Sequence, residues 1–359
     1  MRPLKLRMTK VHNFSAGPGI LPQQAIDNSI SALQNFMGTN LSLIEVSHRD
    51  KEFESVMAEA RKLPLEILGL GDDYDAIYLG GGASMQFCMV PYNFLNTKAA
   101  YLKTGVWASN AVKEAKFFGE VDVVASSEDK NYTYIPKNYS ISKDNEYFHC
   151  TSNNTIYGTQ MHSFPDSPVP MFCDMSSDIF SRRIDAKKFD LIYAGAQKNM
   201  GPAGATLVIL KKELLEKITR KIPSMLDYRT HFSKESMYNT PPVFAVYCSL
   251  QVLKWVKEMG LEKMEARNQA KQELLYAEID RNEFFKGTTV TEDRSWMNVT
   301  FVMNNEAHTA DFLKLCKEAN INGIKGHRSV GGFRASMYNA LPIESVQVLV
   351  DVMRNFKPE

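Results

Sequence analysis

Neither sign of charge is in excess in this 359-residue chain, where 42 lysines and arginines stand against 41 acids for a formal net charge of +1. A protein held on nucleic acid by neutralising phosphates carries a basic surplus, so the composition argues against that class. Long apolar runs are missing too. The best stretch, 243–256, is broken by Ser249, Gln251 and Lys254, short of the ~18–20 apolar residues a bilayer span needs, and no membrane association is expected. Cysteine is sparse and irregular: Cys88, Cys150, Cys173, Cys248 and Cys316 form no Cys-x-x-Cys, and several sit in apolar runs. That pattern fits buried thiols in a reducing compartment rather than a disulfide framework. His12, His149, His162, His231 and His308 show no partner at metal-ligand spacing, so no metal site is expected. The basic stretch 1–10 lacks the apolar segment of a secretory signal, which implies a cytoplasmic protein. Met8 precedes the first structured-looking stretch, and 1–7 reads as an extension outside the fold. Repeats, low-complexity tracts and Pro/Gly linkers are absent as well.

What the chain does have is 44% hydrophobic and 23% charged residues, enough apolar material for a buried core. Short β-rich runs at 76–79, 99–102, 121–125, 146–151, 171–174, 191–194 and 205–210 alternate with helical stretches. Seven such strands predict a large α/β domain built on a mainly parallel sheet. Helices follow at 243–259 and 261–281, the second with Leu261, Met264, Leu274, Leu275 and Ile279 among charges. Beyond them come a strand near 297–302, a helix near 310–319, a glycine-rich segment to Arg334 and a last helix over 343–356. This predicts a small α+β C-terminal domain over 261–359 beside a large domain over 16–260, with 8–15 joining the small one.

Two apolar runs end in ionisable residues. The run 190–197 delivers Lys198 into the glycine-containing loop 199–204, where desolvation would lower the amine's pKa and suit it to Schiff-base chemistry. Taken alone, Lys198 reads more readily as a strand-end lysine extending its head to water. The run 169–173 ends in Asp174. In a parallel sheet both residues fall at the carboxyl edge, where ligands collect. A carboxylate there can pair with a protonated pyridine nitrogen, or simply cap the following helix. Gly80-Gly81-Gly82-Ala83-Ser84 joins a strand to a helix, a place for a single phosphate group on unpaired backbone amides. It lacks the dinucleotide fingerprint and the Lys-Ser/Thr of a P-loop. Trp107 opens the helix after the next strand and offers a flat indole to a ring.

The combination resembles the pyridoxal-phosphate enzymes of the aspartate-aminotransferase fold (fold type I, class V), and within them the phosphoserine aminotransferase family. The matching segments are Asn-Phe-Ser-Ala-Gly-Pro-Gly at 13–19, Val-Ser-His-Arg at 46–49, the glycine segment 80–87 and Thr-Gly-Val-Trp at 104–107. Further on come Ser-Asn-Asn-Thr at 152–155, Cys-Asp-Met-Ser-Ser at 173–177, Gly-Ala-Gln-Lys-Asn at 195–199 and Tyr-Asn-Thr-Pro-Pro at 238–242. The last is Gly-His-Arg-Ser-Val-Gly-Gly-Phe-Arg-Ala-Ser at 326–336. Residues 195–199 and 326–336 are specific to the family, while Asp174 and Lys198 are shared with many relatives. The resemblance implies pyridoxal 5′-phosphate bound covalently to Lys198, which also carries the proton of the reaction. It places Asp174 at the pyridine nitrogen, Trp107 on the ring face and Thr155 near the ring hydroxyl. Ala83, Ser84 and Gln197 would hold the phosphate, joined by Asn239 and Thr240 from the neighbouring subunit of a homodimer. The chain departs from the family pattern at Asn154, where many members have glutamate, and at Asp50, where a small residue is commoner.

The implied reaction converts 3-phosphohydroxypyruvate and L-glutamate to O-phospho-L-serine and 2-oxoglutarate, as in serine biosynthesis. Such substrates carry two anionic groups each and need several fixed cations, for which the planar arginine fork is suited. The sequence offers His48-Arg49 in one turn-like segment and His327-Arg328 with Arg334 in another. By resemblance Arg334 takes the α-carboxylate, and His48, Arg49, His327 and Arg328 share the distal phosphate or γ-carboxylate in an open division of roles. Whether the longer phosphorylated keto acid of pyridoxine biosynthesis is also accepted stays open. The rivals are an alanine:glyoxylate-type aminotransferase, a cysteine desulfurase, and a non-catalytic phosphate-ligand module. The desulfurase needs a mobile nucleophilic cysteine, and Cys316 instead reads as packed in an amphipathic helix.

Overall fold

The computed structural model describes residues 10–328 and 330–357; the expected extension at 1–7 lies outside them. Two amphipathic helices, α1 (Gln23–Gln34) and α2 (Lys51–Leu68), lead into the sheet. The first strands and their crossover helices alternate: β1 (Tyr74–Leu79), α3 (Gly82–Phe94), β2 (Lys98–Lys103), α4 (Val106–Ala115) and β3 (Glu120–Ser126). The sheet is completed by β4 (Phe148–Thr151), β5 (Met171–Asp174), β6 (Leu191–Gly195) and β7 (Thr206–Lys211). Its spatial order is β1-β7-β6-β5-β4-β2-β3, with β7 antiparallel to both neighbours and the rest parallel. All seven strands fall on the runs expected from sequence.

The central strands are apolar along their length because helices cover both faces. On β5, Met171 and Cys173 join one buried cluster while Phe172 joins the cluster on the opposite face. The outer edge of β1 is also covered: the Tyr78 amide donates to Ser236 Oγ at 2.9 Å, and Arg61 Nε donates to the Ala76 carbonyl at 2.9 Å. These bonds occupy groups that would otherwise template another strand. At β4 the strand begins at Phe148 rather than Glu146, although the Glu146 amide still donates to the Lys98 carbonyl and the Tyr147 carbonyl accepts from the Ala100 amide, while the Glu146 carboxylate accepts from the Asn96 and Thr97 amides.

The remainder packs around a third cluster. The long helices α5 (Val243–Met259) and α6 (Leu261–Arg281) are followed by β8 (Phe285–Gly287), β9 (Asn298–Met303), α7 (Thr309–Glu318), β10 (Phe333–Ser336) and α8 (Ile343–Arg354). Strands β8, β9 and β10 form an antiparallel sheet in that order. Phe14, Phe285, Phe301, Phe312, Phe333 and Phe356 all lie in its buried cluster. The last helix ends at Arg354, short of the expected 356, because Phe356 leaves the helix to enter this cluster. His12 and Asn13 pair with Ile321 and Asn322, which ties the start of the chain to this end of the molecule. Among the described residues, no helix is long and apolar enough to cross a membrane.

Candidate active site

Six of the seven strands point their carboxyl ends the same way, and the chemistry expected from sequence collects along that edge. A cavity of about 450 Å³ opens there, with Lys198 and Asp174 on its wall. Asp174 ends β5 and is buried. Its Oδ1 accepts from the Ser176 amide at 2.9 Å and the Ser176 hydroxyl at 2.6 Å. Burial raises the Asp174 pKa, while the nearby Lys198 charge and the Ser176 bonds pull against that shift. Ser176 Oγ also accepts from the Gly195 amide at 3.1 Å, fastening the end of β6 to the residue that orients Asp174.

Lys198 follows β6 by three residues and is only half-buried by its neighbours. Desolvation lowers its pKa; Asp174 opposes that shift and Arg334 adds to it. Its Nζ lies 5.5 Å from the centroid of the Trp107 ring. Trp107 is fixed in turn by an Nε1–H bond to Thr155 Oγ1 at 3.1 Å. The indole, the lysine and the carboxylate therefore bound one flat space.

The start of α3 forms the opposite wall through Gly81, Gly82, Ala83 and Ser84. Gly81 caps this helix with φ +90°, and a Cβ there would lie 2.6 Å from Met85 Cβ, so only glycine lets the turn bring the helix N-terminus to the cavity. Unpaired amides at such a terminus favour an anion. Gln197 also lines the cavity. At the mouth, Arg334 Nη1 donates to the Thr155 carbonyl at 3.0 Å, while its Nε is buried without a partner. Burial lowers the Arg334 pKa. No carboxylate lies within ion-pair distance of it among the described residues, so this guanidinium is open to an anion from solution. His327 lies on the same wall, its pKa lowered by burial and then by Arg334 and Arg328.

The residues Ala83, Ser84, Trp107, Thr155, Asp174, Gln197, Lys198, His327 and Arg334 thus meet in one cavity. His48, Arg49, Arg328, Asn239 and Thr240 do not line it within this chain. Arg49, Arg328, Asn239 and Thr240 are exposed, and His48 has a buried Nε2 without a partner. Sequence reasoning gave no role to Ser176, although it stands in the segment 173–177. Ala16 and Gly17, in the segment 13–19, also reach the cavity wall unforeseen. Cys316 is buried and its thiol pKa is pushed up to about 12, which leaves a desulfurase without its nucleophile. Among the described residues, no group of three or more His, Cys, Asp or Glu is placed to hold a metal ion. Such a cavity suits a planar, phosphate-bearing aldehyde: an amine to capture it, a carboxylate for a ring nitrogen, an indole for its face and a helix start for its phosphate.

A seven-stranded, mainly parallel sheet with a lysine of this kind at its carboxyl edge is the architecture of the fold-type-I enzymes, and the family described as Aminotransferase class-V matches residues 11–349. A phosphoserine aminotransferase from Flavobacterium psychrophilum is 62% identical over 97% of this chain and 99% of its own length. The solved phosphoserine aminotransferase of Bacillus circulans subsp. alkalophilus superposes with a TM-score of 0.93 at 43% identity, over 96% of this chain and 98% of that one. The one from Trichomonas vaginalis, solved with pyridoxal phosphate bound, gives a TM-score of 0.92 at 36% identity, over 96% of this chain and 100% of that one. The chain belongs to the class-V aminotransferases and, within them, to the phosphoserine aminotransferase family.

Proposed function

We propose that this aminotransferase moves the amino group of L-glutamate to 3-phosphohydroxypyruvate, giving O-phospho-L-serine and 2-oxoglutarate, with pyridoxal 5′-phosphate as cofactor. The observation that carries this reading is that Lys198 and the buried Asp174 line one cavity together with Arg334, an arginine with no acidic partner among the described residues. When bound, the cofactor supplies an electron sink for the carbanion left at the substrate's α-carbon. Lys198, whose ammonium form is disfavoured by burial, would hold the cofactor covalently and, once the substrate's own amine has displaced it, would be the free base that moves the α-proton. Asp174, oriented by Ser176, would keep a proton on the ring nitrogen. Trp107 would cover one ring face, Thr155 would meet the ring hydroxyl, and Ala83, Ser84 and Gln197 would receive the phosphate. Arg334 takes the substrate's α-carboxylate, and His327, Arg328, His48 and Arg49 serve its distal anion.

Several of these residues are exposed in a single chain, which favours a homodimer with shared sites. A second copy would bring Asn239 and Thr240 to the cofactor phosphate. Ile30, Met37 and Ile44 lie 49%, 63% and 62% exposed around α1, an apolar surface suited to such a contact. The same reading divides the chain into a cofactor-holding unit over 16–260 and a smaller unit over 261–359, which the separate cluster around β8–β10 supports.

The test is the spectrum of the purified enzyme followed by two half-reactions. A visible band should be present, vanish in Lys198→Ala, change on adding glutamate and return on adding 3-phosphohydroxypyruvate. In Arg49→Ala and Arg328→Ala, the preference for phosphoserine over alanine should fall about ten- to a hundredfold in kcat/KM, the equivalent of one lost charge-assisted contact. A band that survives Lys198→Ala, or a preference left intact in both arginine variants, contradicts the reading. The same assay run with the longer phosphorylated keto acid decides whether that substrate is shared.

A further inference from the structure

Helix α6 buries polar side chains where its core-facing stripe calls for apolar ones, among them Asn268 and Lys271. Met264, Asn268, Lys271 and Leu275 follow helical spacing and are all 0% exposed. Lys271 forms no ion pair with a carboxylate among the described residues. Its Nζ instead donates to two successive backbone carbonyls, Met337 and Tyr338, each at 2.8 Å. Asn268 Nδ2 donates to the Ser181 carbonyl and to Asn339 Oδ1, each at 2.8 Å. One turn before Lys271, the Arg267 guanidinium reaches the Asn339 and Leu341 carbonyls at 3.3 Å. A buried amine without a counter-ion is a poor way to gain stability, and an apolar side chain of the same length would be cheaper to bury. What it does instead is satisfy two adjacent carbonyls that no apolar side chain could.

The gripped segment meets the candidate active site at three points. It begins just beyond Arg334 on β10. The Tyr338 hydroxyl donates to the Ala16 carbonyl at 2.6 Å, and Ala16 lines the cavity. The Asn339 amide donates to Asn199 Oδ1 at 2.9 Å, and Asn199 directly follows Lys198. Asn199 Nδ2 is held in turn by the Ile179 carbonyl at 2.9 Å.

We propose that Lys271 is a positioning residue: by holding the Met337 and Tyr338 carbonyls it fixes the chain past Arg334 and, through Asn339 and Asn199, the loop that carries Lys198. The substrate-binding cation and the reactive amine thereby keep one mutual placement. This rests on the reading of Arg334 as the carboxylate site. Burial, and then Arg267, lower the Lys271 pKa well below its ordinary value. A neutral amine keeps two N–H groups, so both bonds survive loss of the proton.

The test uses the cofactor-loaded enzyme and Lys271→Met. Backbone hydrogen exchange should quicken in 333–341, 195–201 and 12–19 while β2 to β5 keep their protection. The KM for glutamate should rise about tenfold with kcat within about threefold, as expected when a binding group is misplaced rather than removed. In an Arg334→Gln background the same substitution should add less than about twofold, because a residue acting through Arg334 has nothing left to act on. Uniformly faster exchange, unchanged exchange at 195–201, or a full tenfold effect without Arg334 would overturn the proposal. If Arg334→Gln alone leaves the glutamate KM unchanged, the carboxylate reading fails instead, and exchange at 195–201 then decides whether Lys271 holds the lysine loop. Should Lys271→Met not fold, Lys271→Gln keeps N–H donors on a shorter stem and must show the same pattern at lower amplitude.

Discussion

His149 is a histidine that its surroundings keep neutral. It sits on β4 between Tyr101 and Tyr193, with ring centroids 4.9 and 5.9 Å away, and its Nε2 is 2.9 Å from the Tyr193 hydroxyl. Nδ1 is buried without a partner, and burial pushes the ring pKa from 6.5 down to about 3. Between those values the unfolded chain binds a proton that the folded one refuses, so stability falls as pH falls, by ~1.4 kcal/mol per pH unit. His149→Phe removes this slope. It also leaves the Tyr193 hydroxyl unpaired, which costs about 1–3 kcal/mol at neutral pH. The variant should therefore be the less stable protein at pH 7 and regain ground steadily toward pH 4. Denaturant midpoints at pH 7, 5 and 4 measure this, since the carboxylates titrate alike in both proteins. Parallel curves would show that His149 is not the group responsible. Nothing in the sequence marked this residue, because its character comes from two tyrosines on other strands, Tyr101 on the adjacent β2 and Tyr193 on β6, one strand beyond β5.

Where elements meet, the glycine turn before α3 gives the sharpest contrast. Gly81→Ala forces a side chain into a left-handed turn and against Met85, at about 1–3 kcal/mol. A Cβ on Gly80 would meet nothing within 4 Å, so Gly80→Ala should stay within about 0.5 kcal/mol of the parent. Thermal unfolding and cofactor retention after dialysis should separate the two, Gly81→Ala losing both and Gly80→Ala neither. Equal losses would mean that the turn is not what presents α3 to the cavity. The Gly80-Gly81-Gly82 run was visible in the sequence, as were β5, α5 and α6, whose bounds agree to the residue. Short apolar runs ending in a polar residue, and long amphipathic ones, state their own structure. Strand direction is another matter: the apolar pattern of β7 is the same whichever way it runs, and only its antiparallel register shows the choice. Asn268 and Lys271 were legible only as helix residues, because their partners, backbone carbonyls and the Asn339 side chain, lie 66 to 87 residues away.

For the whole molecule, a shared site makes a prediction that no single-chain site can. Lys198→Ala and a variant carrying Asn239→Ala with Thr240→Val should each be nearly inactive alone. In a mixed dimer one site collects both defects and the other none. Random reassociation makes about half the dimers mixed, so roughly a quarter of the parent activity should return. Subunit exchange verified by mass, with no activity regained, would argue that each chain completes its own site.

The place of β7 also governs how the protein comes off the ribosome. β1 is made early, yet its sheet neighbour is β7, and the hydroxyl that caps its other edge belongs to Ser236. Until synthesis has passed those residues, a strand with apolar side chains lacks both its β7 neighbour and the Ser236 hydroxyl, with the Arg61 bond to the Ala76 carbonyl as cover on its outer edge. Pairing over such sequence separations is slow, and unpaired strands are where nascent chains stick to one another. Burial of β1 therefore waits on a strand inserted from more than a hundred residues downstream, between two that were already made.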